Sequence, residues 1–147
     1  MHHDDFPVVY IILLIFVLVP CFTMALLTFI FSIIAAGGWR RLSKQFASPR
    51  GVIGNTTYRV TGKVGTSTYK QGLKITRTGS GLGIEVSPLI FIGHTPLFIP
   101  FSAMHDPEKT SLLRYKDYIS ISVGRPEIAK LRLPASLFKG SPFEQTE

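Results

Sequence analysis

No lysine or arginine occurs before Arg40, and no aspartate or glutamate lies between Arg40 and Ile84. The first absence argues against a cleavable signal peptide, which opens on a basic segment and carries a shorter apolar core; this chain opens on MHHDDF. The second leaves Arg40, Arg41, Lys44, Arg50, Arg59, Lys63, Lys70, Lys74 and Arg77 unopposed until Glu85. Such a field attracts anions, whether lipid headgroups, nucleic acid or acidic protein. Cysteine is almost missing too. The single Cys21 excludes an internal disulfide and a cysteine-based metal site.

Catalytic and cofactor motifs are equally scarce. His94-Thr-Pro and His105-Asp-Pro read as turns, His2 and His3 as an exposed terminus, and none has further ligands at metal-site spacing. Gly79-Ser-Gly-Leu-Gly83 lies between strand-like runs, without a following helix to hold a pyrophosphate, and reads as a hairpin turn. Serine, histidine and aspartate do not fall into a nucleophile–base order. The expectation is a protein that is not an enzyme, with no cofactor and no metal. Tyr58 and Tyr69 interleave with the basic residues, but no nucleic-acid signature accompanies them.

What is abundant is apolar length. Residues 8–36 read VVYIILLIFVLVPCFTMALLTFIFSIIAA, free of Asp, Glu, Lys, Arg and His. At 1.5 Å per residue the stretch reaches about 43 Å, more than the roughly 30 Å of a hydrocarbon core. One end is therefore expected to enter the headgroups, or Pro20 to bend the helix. Arg40, Arg41, Lys44 and Arg50 follow the span and no cation precedes it, so the positive-inside rule puts the N-terminus outside and the remainder in the cytoplasm. Phe6, Tyr10 and Trp39 stand where interfacial aromatics are expected. Around the helix, Cys21, Ala25, Thr28, Ser32, Ala35 and Ala36 share an arc of roughly 100°. That is either a helix-packing face or a set of side chains bonded to their own helix.

Gly37-Gly38 ends the span, and WRRLSKQF, with Leu42 and Phe46 on one face, is expected along the membrane surface. After Ser48-Pro49-Arg50-Gly51 the period becomes two. Strand candidates cover residues 57–64, 70–78, 82–87, 89–92, 97–103, 112–123 and 128–133, an antiparallel meander closing into a small barrel or two packed sheets. Residues 135–139 allow a turn or two of helix, and the tail after Pro142 is expected to be disordered.

Strands in that number followed by a helix resemble pleckstrin-homology-like domains. GWRRL after a span, GHTPLFIPF at 93–101 and LRLP at 131–134 are similar to uncharacterised single-pass membrane proteins of bacteria. The resemblance implies a fold and a bacterial inner-membrane location; the sequence departs from the pleckstrin pattern at its end, where the closing helix is shorter than usual and leaves one barrel mouth for WRRLSKQF or a partner to cover.

With Val60, Val64, Leu73 and Ile75 inward, Arg59, Lys63, Lys70 and Lys74 point outward from the first hairpin. Pleckstrin-homology domains hold phosphoinositides with basic residues there, but Lys74-Ile-Thr-Arg77 lacks their closely spaced pair. General attraction of about 1 kcal/mol per cation is the expected mode.

The organisation expected is an extracytoplasmic terminus (1–7), a transmembrane helix (8–36), a juxtamembrane segment and linker (37–51), a cytoplasmic β-barrel (52–140) and a tail (141–147). Trp39, Arg40, Arg41, Lys44, Arg59, Lys63, Lys70 and Lys74 are the expected lipid contacts. The leading expectation for function is a non-catalytic accessory or scaffold subunit, with membrane lipid and other integral membrane subunits as partners and no nucleic acid. The alternative is an anionic-lipid sensor.

Overall fold

The computed structural model describes residues 5–48, 50–88 and 93–144, with the side chains of residues 5–7, 31, 34–36, 115 and 116 left out. Helix α1 runs from Asp5 to Ala36 with Pro20 inside it. Its stretch Val8–Ile30 is long and apolar enough to cross a membrane and is unburied in the chain. The two glycines then interrupt it, and α2 (Trp39–Phe46) begins at once.

The rest is one curled antiparallel sheet, a half-barrel. Its strands are β1 (Asn55–Val64), β2 (Ser67–Arg77), β3 (Gly81–Val86), β4 (Leu97–Pro100), β5 (Met104–Leu112), β6 (Tyr115–Val123) and β7 (Ala129–Pro134). The order is β4-β3-β2-β1-β7-β6-β5, so the first and last strands of the meander pair with each other. Alternation puts Val60, Val64, Leu73, Ile75, Leu82, Ile84, Ile99, Ile121, Leu131 and Leu133 into one core. A short 3-10 turn at Ala135–Phe138 adds Leu137 and Phe138 to it.

Four sequence expectations change. Met104–Leu112, whose His105-Asp-Pro reads as a turn, is strand β5, and residues 112–123 contain the turn from β5 into β6. The turn-like residues of β5 form an irregularity between His105 and Glu108, where Asp106 has φ 51°. Because β5 is an edge strand, Pro107 removes no ladder donor that the sheet needs. His105 there donates from Nε2 to the Gly124 carbonyl at 2.7 Å, and its Nδ1 meets the Asp106 carboxylate at 2.6 Å. These contacts, the carbonyl first, raise its pKa.

Residues 97–103 form a four-residue strand and a 3-10 turn at Phe101–Ala103. The strand candidate at 89–92 lies outside the described residues. The tail expectation also fails in part, because Phe143 packs against Phe101 and Phe138 with ring centroids 6.0 and 6.3 Å apart.

The largest correction concerns α2. A period-3.6 face of Trp39, Leu42 and Phe46 turns into the half-barrel, where Trp39 is 1% and Leu42 0% exposed. The boundary drawn at residues 37–51 therefore divides an element from its own core. The expected closed barrel is an open half-barrel, its sheet ending at β4 and β5, and WRRLSKQF packs its apolar face into that half-barrel's core. Its exit tightens the join: Ala47 bridges Leu97, and the Ser48 amide donates to the Pro96 carbonyl at 2.8 Å, covering part of the β4 edge.

Candidate functional site

Two features gather most of the unusual chemistry: the junction between α1 and the half-barrel, and the basic outer wall of the sheet. At the junction the Gly37 carbonyl accepts from both the Thr66 amide (2.7 Å) and the Thr66 hydroxyl (2.9 Å). The β1–β2 turn thus ties directly to the end of α1. The approach requires glycine on both sides. Gly38 has φ +135° and Gly65 φ +60°, and a Cβ on Gly65 would sit 2.2 Å from the Gly37 oxygen.

Immediately beyond, the Trp39 indole donates to the Thr95 carbonyl at 2.8 Å and lies edge-on to Tyr69 and His94, with centroids 5.7 and 5.1 Å away. The Tyr69 hydroxyl and His94 Nε2 are 2.9 Å apart and buried. Burial, only partly opposed by a hydrogen bond from Ser67, pushes the Tyr69 pKa up to about 12. Tyr69 therefore stays a neutral donor or acceptor, and a fully satisfied aromatic and polar cluster fastens α2 to the sheet. Trp39, expected as a lipid contact, is a core residue here: it is 1% exposed and its indole donates to a protein acceptor.

The remaining expected contacts fall into two groups. Arg40, Arg41 and Lys44 are exposed on the face of α2 opposite Trp39 and Leu42, at the end of α1. On the first hairpin, Arg59 and Lys70 are exposed and Lys63 is half-buried. Irregularities in β1 and β2 interrupt the simple alternation: Arg59 has φ 55° and Gln71 φ 50°, and Tyr58 is left outside. Lys74 is not a free member of the group. It bonds Glu85 on β3 at 2.9 Å, which raises its pKa.

The sheet register adds cations that hairpin reasoning alone could not reach. Lys63 stands directly opposite Arg132 of β7, Arg132 opposite Ser120 of β6, and Lys63 opposite Thr68 of β2. Glu108 of β5 stands opposite Ser120 and extends the row; since Val64, Leu131 and Ile121 face the core, the row lies on the outer side of the sheet, with Ser120 itself buried. Beside it, Thr61, Lys70 and Gln71 meet Leu113 and Arg114 of the β5–β6 turn around a depression of about 500 Å³. The Tyr118 hydroxyl donates to the Thr61 carbonyl at 3.0 Å, and the Gln71 amide to the Thr61 hydroxyl at 3.0 Å. The first bond ties β6, just beyond the turn, to the hairpin, and the second lies within the hairpin. Alternation in AKLRLP signals that Lys130 and Arg132 share a face; only the β1–β7 pairing places Arg132 beside Lys63.

On α1, Cys21, Ala25 and Thr28 are exposed and Ser32 is half-exposed; the side chains of Ala35 and Ala36 lie outside those described. The Thr28 hydroxyl donates to the Met24 carbonyl at 2.8 Å, as expected of a threonine satisfied within its own helix. Among the described residues no group of three or more His, Cys, Asp or Glu is placed to hold a metal. Comparison of the chain with protein-family models, with curated proteins and with solved structures finds no match to any of them.

Proposed function

We propose that the chain is a non-catalytic, membrane-anchored accessory or scaffold subunit. In this reading α1 spans a bacterial inner membrane with its N-terminus outside, and the half-barrel is a cytoplasmic docking module of pleckstrin-homology-like character. The observation that carries the reading is the absence of slack. Only Gly37 and Gly38 separate α1 from a helix that belongs to the domain core, and Gly37 is itself bonded to Thr66. A domain fixed this way sits at a set height and orientation above the leaflet. Such placement suits a module that meets a neighbouring membrane protein, and it would hinder one that must search the cytoplasm. The charge asymmetry about the span supports the orientation, and the strand order with β1 paired to β7 supports the fold reading.

The exposed run of apolar and small residues on α1 gives the partner a second contact. Cross-linking in intact membranes followed by native separation should recover the chain in a larger assembly. Leucine at Ala25 and Ser32 together should reduce that recovery severalfold by blocking close helix approach. Recovery of only a monomer from the unsubstituted chain would overturn the reading.

A second reading, contact with anionic lipid, is favoured by the common exposed face of Arg40, Arg41 and Lys44. Each cation near an anionic leaflet adds about 1 kcal/mol of attraction, screened by salt.

A further inference from the structure

A hollow of about 390 Å³ opens where α1 joins the half-barrel. Much of its wall is bare backbone, because Gly37, Gly38 and Gly65 meet there; a Cβ on Gly38 would lie 2.8 Å from the Gly65 Cα. Two charged residues line it, Arg41 of α2 and Lys130 of β7, and both are exposed cations. No carboxylate lines it. Among the described residues Arg41 is in no ion pair, and Lys130 meets Glu127 only at 3.9 Å, where that carboxylate also accepts from the Ser122 hydroxyl. The first-hairpin cations Arg59, Lys63, Lys70 and Lys74 take no part in the hollow. Its height is set by the helix. The apolar stretch ends at Ile30 and α1 continues to Ala36, so with α1 upright in a bilayer Gly37 stands about 10 Å beyond that stretch. Headgroups fill roughly the first 5–8 Å outside the hydrocarbon core. The hollow therefore lies at the outer border of the headgroup layer, within reach of arginine and lysine stems that turn back toward it.

We infer that this hollow holds the phosphate of an anionic phospholipid headgroup, with the Arg41 guanidinium and the Lys130 ammonium as its contacts. The inference rests on the anionic-lipid reading and turns its general attraction into a defined site. The two cations divide the task by their chemistry: the planar guanidinium offers two parallel N–H donors to phosphate oxygens, and the ammonium supplies a compact charge on a flexible stem. Location selects lipid over an acidic protein segment. A segment of a partner would have to enter the crevice between leaflet and domain to reach Gly37, whereas headgroups already occupy that level. General attraction depends on the number of cations near the leaflet and not on which ones they are. A site makes Arg41 and Lys130 count for more than Arg40 and Lys44, which are exposed on the same helix but do not line the hollow.

The test uses the full chain reconstituted in phosphatidylcholine vesicles containing a minor share of phosphatidylglycerol. After release in mild detergent, native mass spectrometry counts the phosphatidylglycerol retained per chain. The unsubstituted chain should retain it in preference to phosphatidylcholine. Arg41→Gln with Lys130→Gln should lower that preference about tenfold or more, as expected for the loss of two charge-assisted contacts. Arg40→Gln with Lys44→Gln, equal in charge removed, should lower it less than about threefold. If the first pair also lowers Tm, Arg41→Gln and Lys130→Gln singly replace it, and each should cost more than the Arg40 and Lys44 pair despite removing half the charge. Equal losses from the two pairs would overturn the site and leave the general lipid reading standing. No preference for phosphatidylglycerol in the unsubstituted chain would overturn both. Displacement of the lipid by inorganic phosphate at matched ionic strength would make the hollow a soluble-anion site and overturn the inference. So would unchanged lipid retention in the Arg41 and Lys130 variant with loss of its cross-linked assembly, which would make the hollow a protein contact.

Discussion

Replacing Trp39 by alanine is expected to cost the half-barrel about 3–5 kcal/mol, the usual range for deleting a fully buried large aromatic side chain. Trp39 is 1% exposed, and its removal also leaves the Thr95 carbonyl without the indole donor and strips a ring contact from both Tyr69 and His94. The loss should appear in denaturant unfolding of the detergent-solubilised chain, followed by far-ultraviolet circular dichroism so that the missing indole does not confound the signal. Trp39→Phe restores apolar volume but not the hydrogen bond, and should recover more than half of the loss. A change below about 1 kcal/mol for alanine, the range of ordinary surface positions, would mean that α2 is not part of the core.

The second large effect is expected at Gly65. Any side chain there meets two penalties of separate origin. Its φ of +60° disfavours an L-residue by about 1–2 kcal/mol, and its Cβ would lie 2.2 Å from the Gly37 oxygen and 2.8 Å from the Gly38 Cα. Both obstacles are backbone, so no rotamer change relieves them. The β1–β2 turn must move off the end of α1, losing the two bonds from Thr66 to Gly37. Gly65→Ala should therefore lower stability by at least about 2 kcal/mol once strain and contact loss combine. Gly79→Ala is the control: a Cβ there meets nothing within 4 Å, and its effect should be no more than about 0.5 kcal/mol. Equal effects at the two positions would refute the tight junction.

Much of the fold was legible because it depends on local patterns. The apolar stretch at 8–36, the Gly37-Gly38 break and the inward set of Val60, Val64, Leu73 and Ile75 follow from composition and periodicity alone. Strand β5 was hidden because it carries the devices of an edge strand, a proline and a left-handed aspartate, which in sequence are indistinguishable from a turn. The destination of Trp39 was ambiguous for a different reason. A tryptophan just after a span suits a bilayer interface and a protein core equally well, and only the three-dimensional closure of β1, β2 and the segment at His94–Thr95 supplies its partners. The Lys63–Arg132 row depends on pairing between strands about seventy residues apart in the chain, which no local pattern encodes.

Trp39 is the only tryptophan in the chain, so its fluorescence reports directly on the join between anchor and domain. In bilayers containing lipids brominated near the headgroup, the account predicts blue-shifted emission that resists both the bromolipid and aqueous acrylamide, and becomes accessible to acrylamide only when the half-barrel unfolds. Strong quenching by the brominated lipid in the folded protein would place the indole in the membrane interface, and would contradict the account in which α2 packs into the core of the half-barrel.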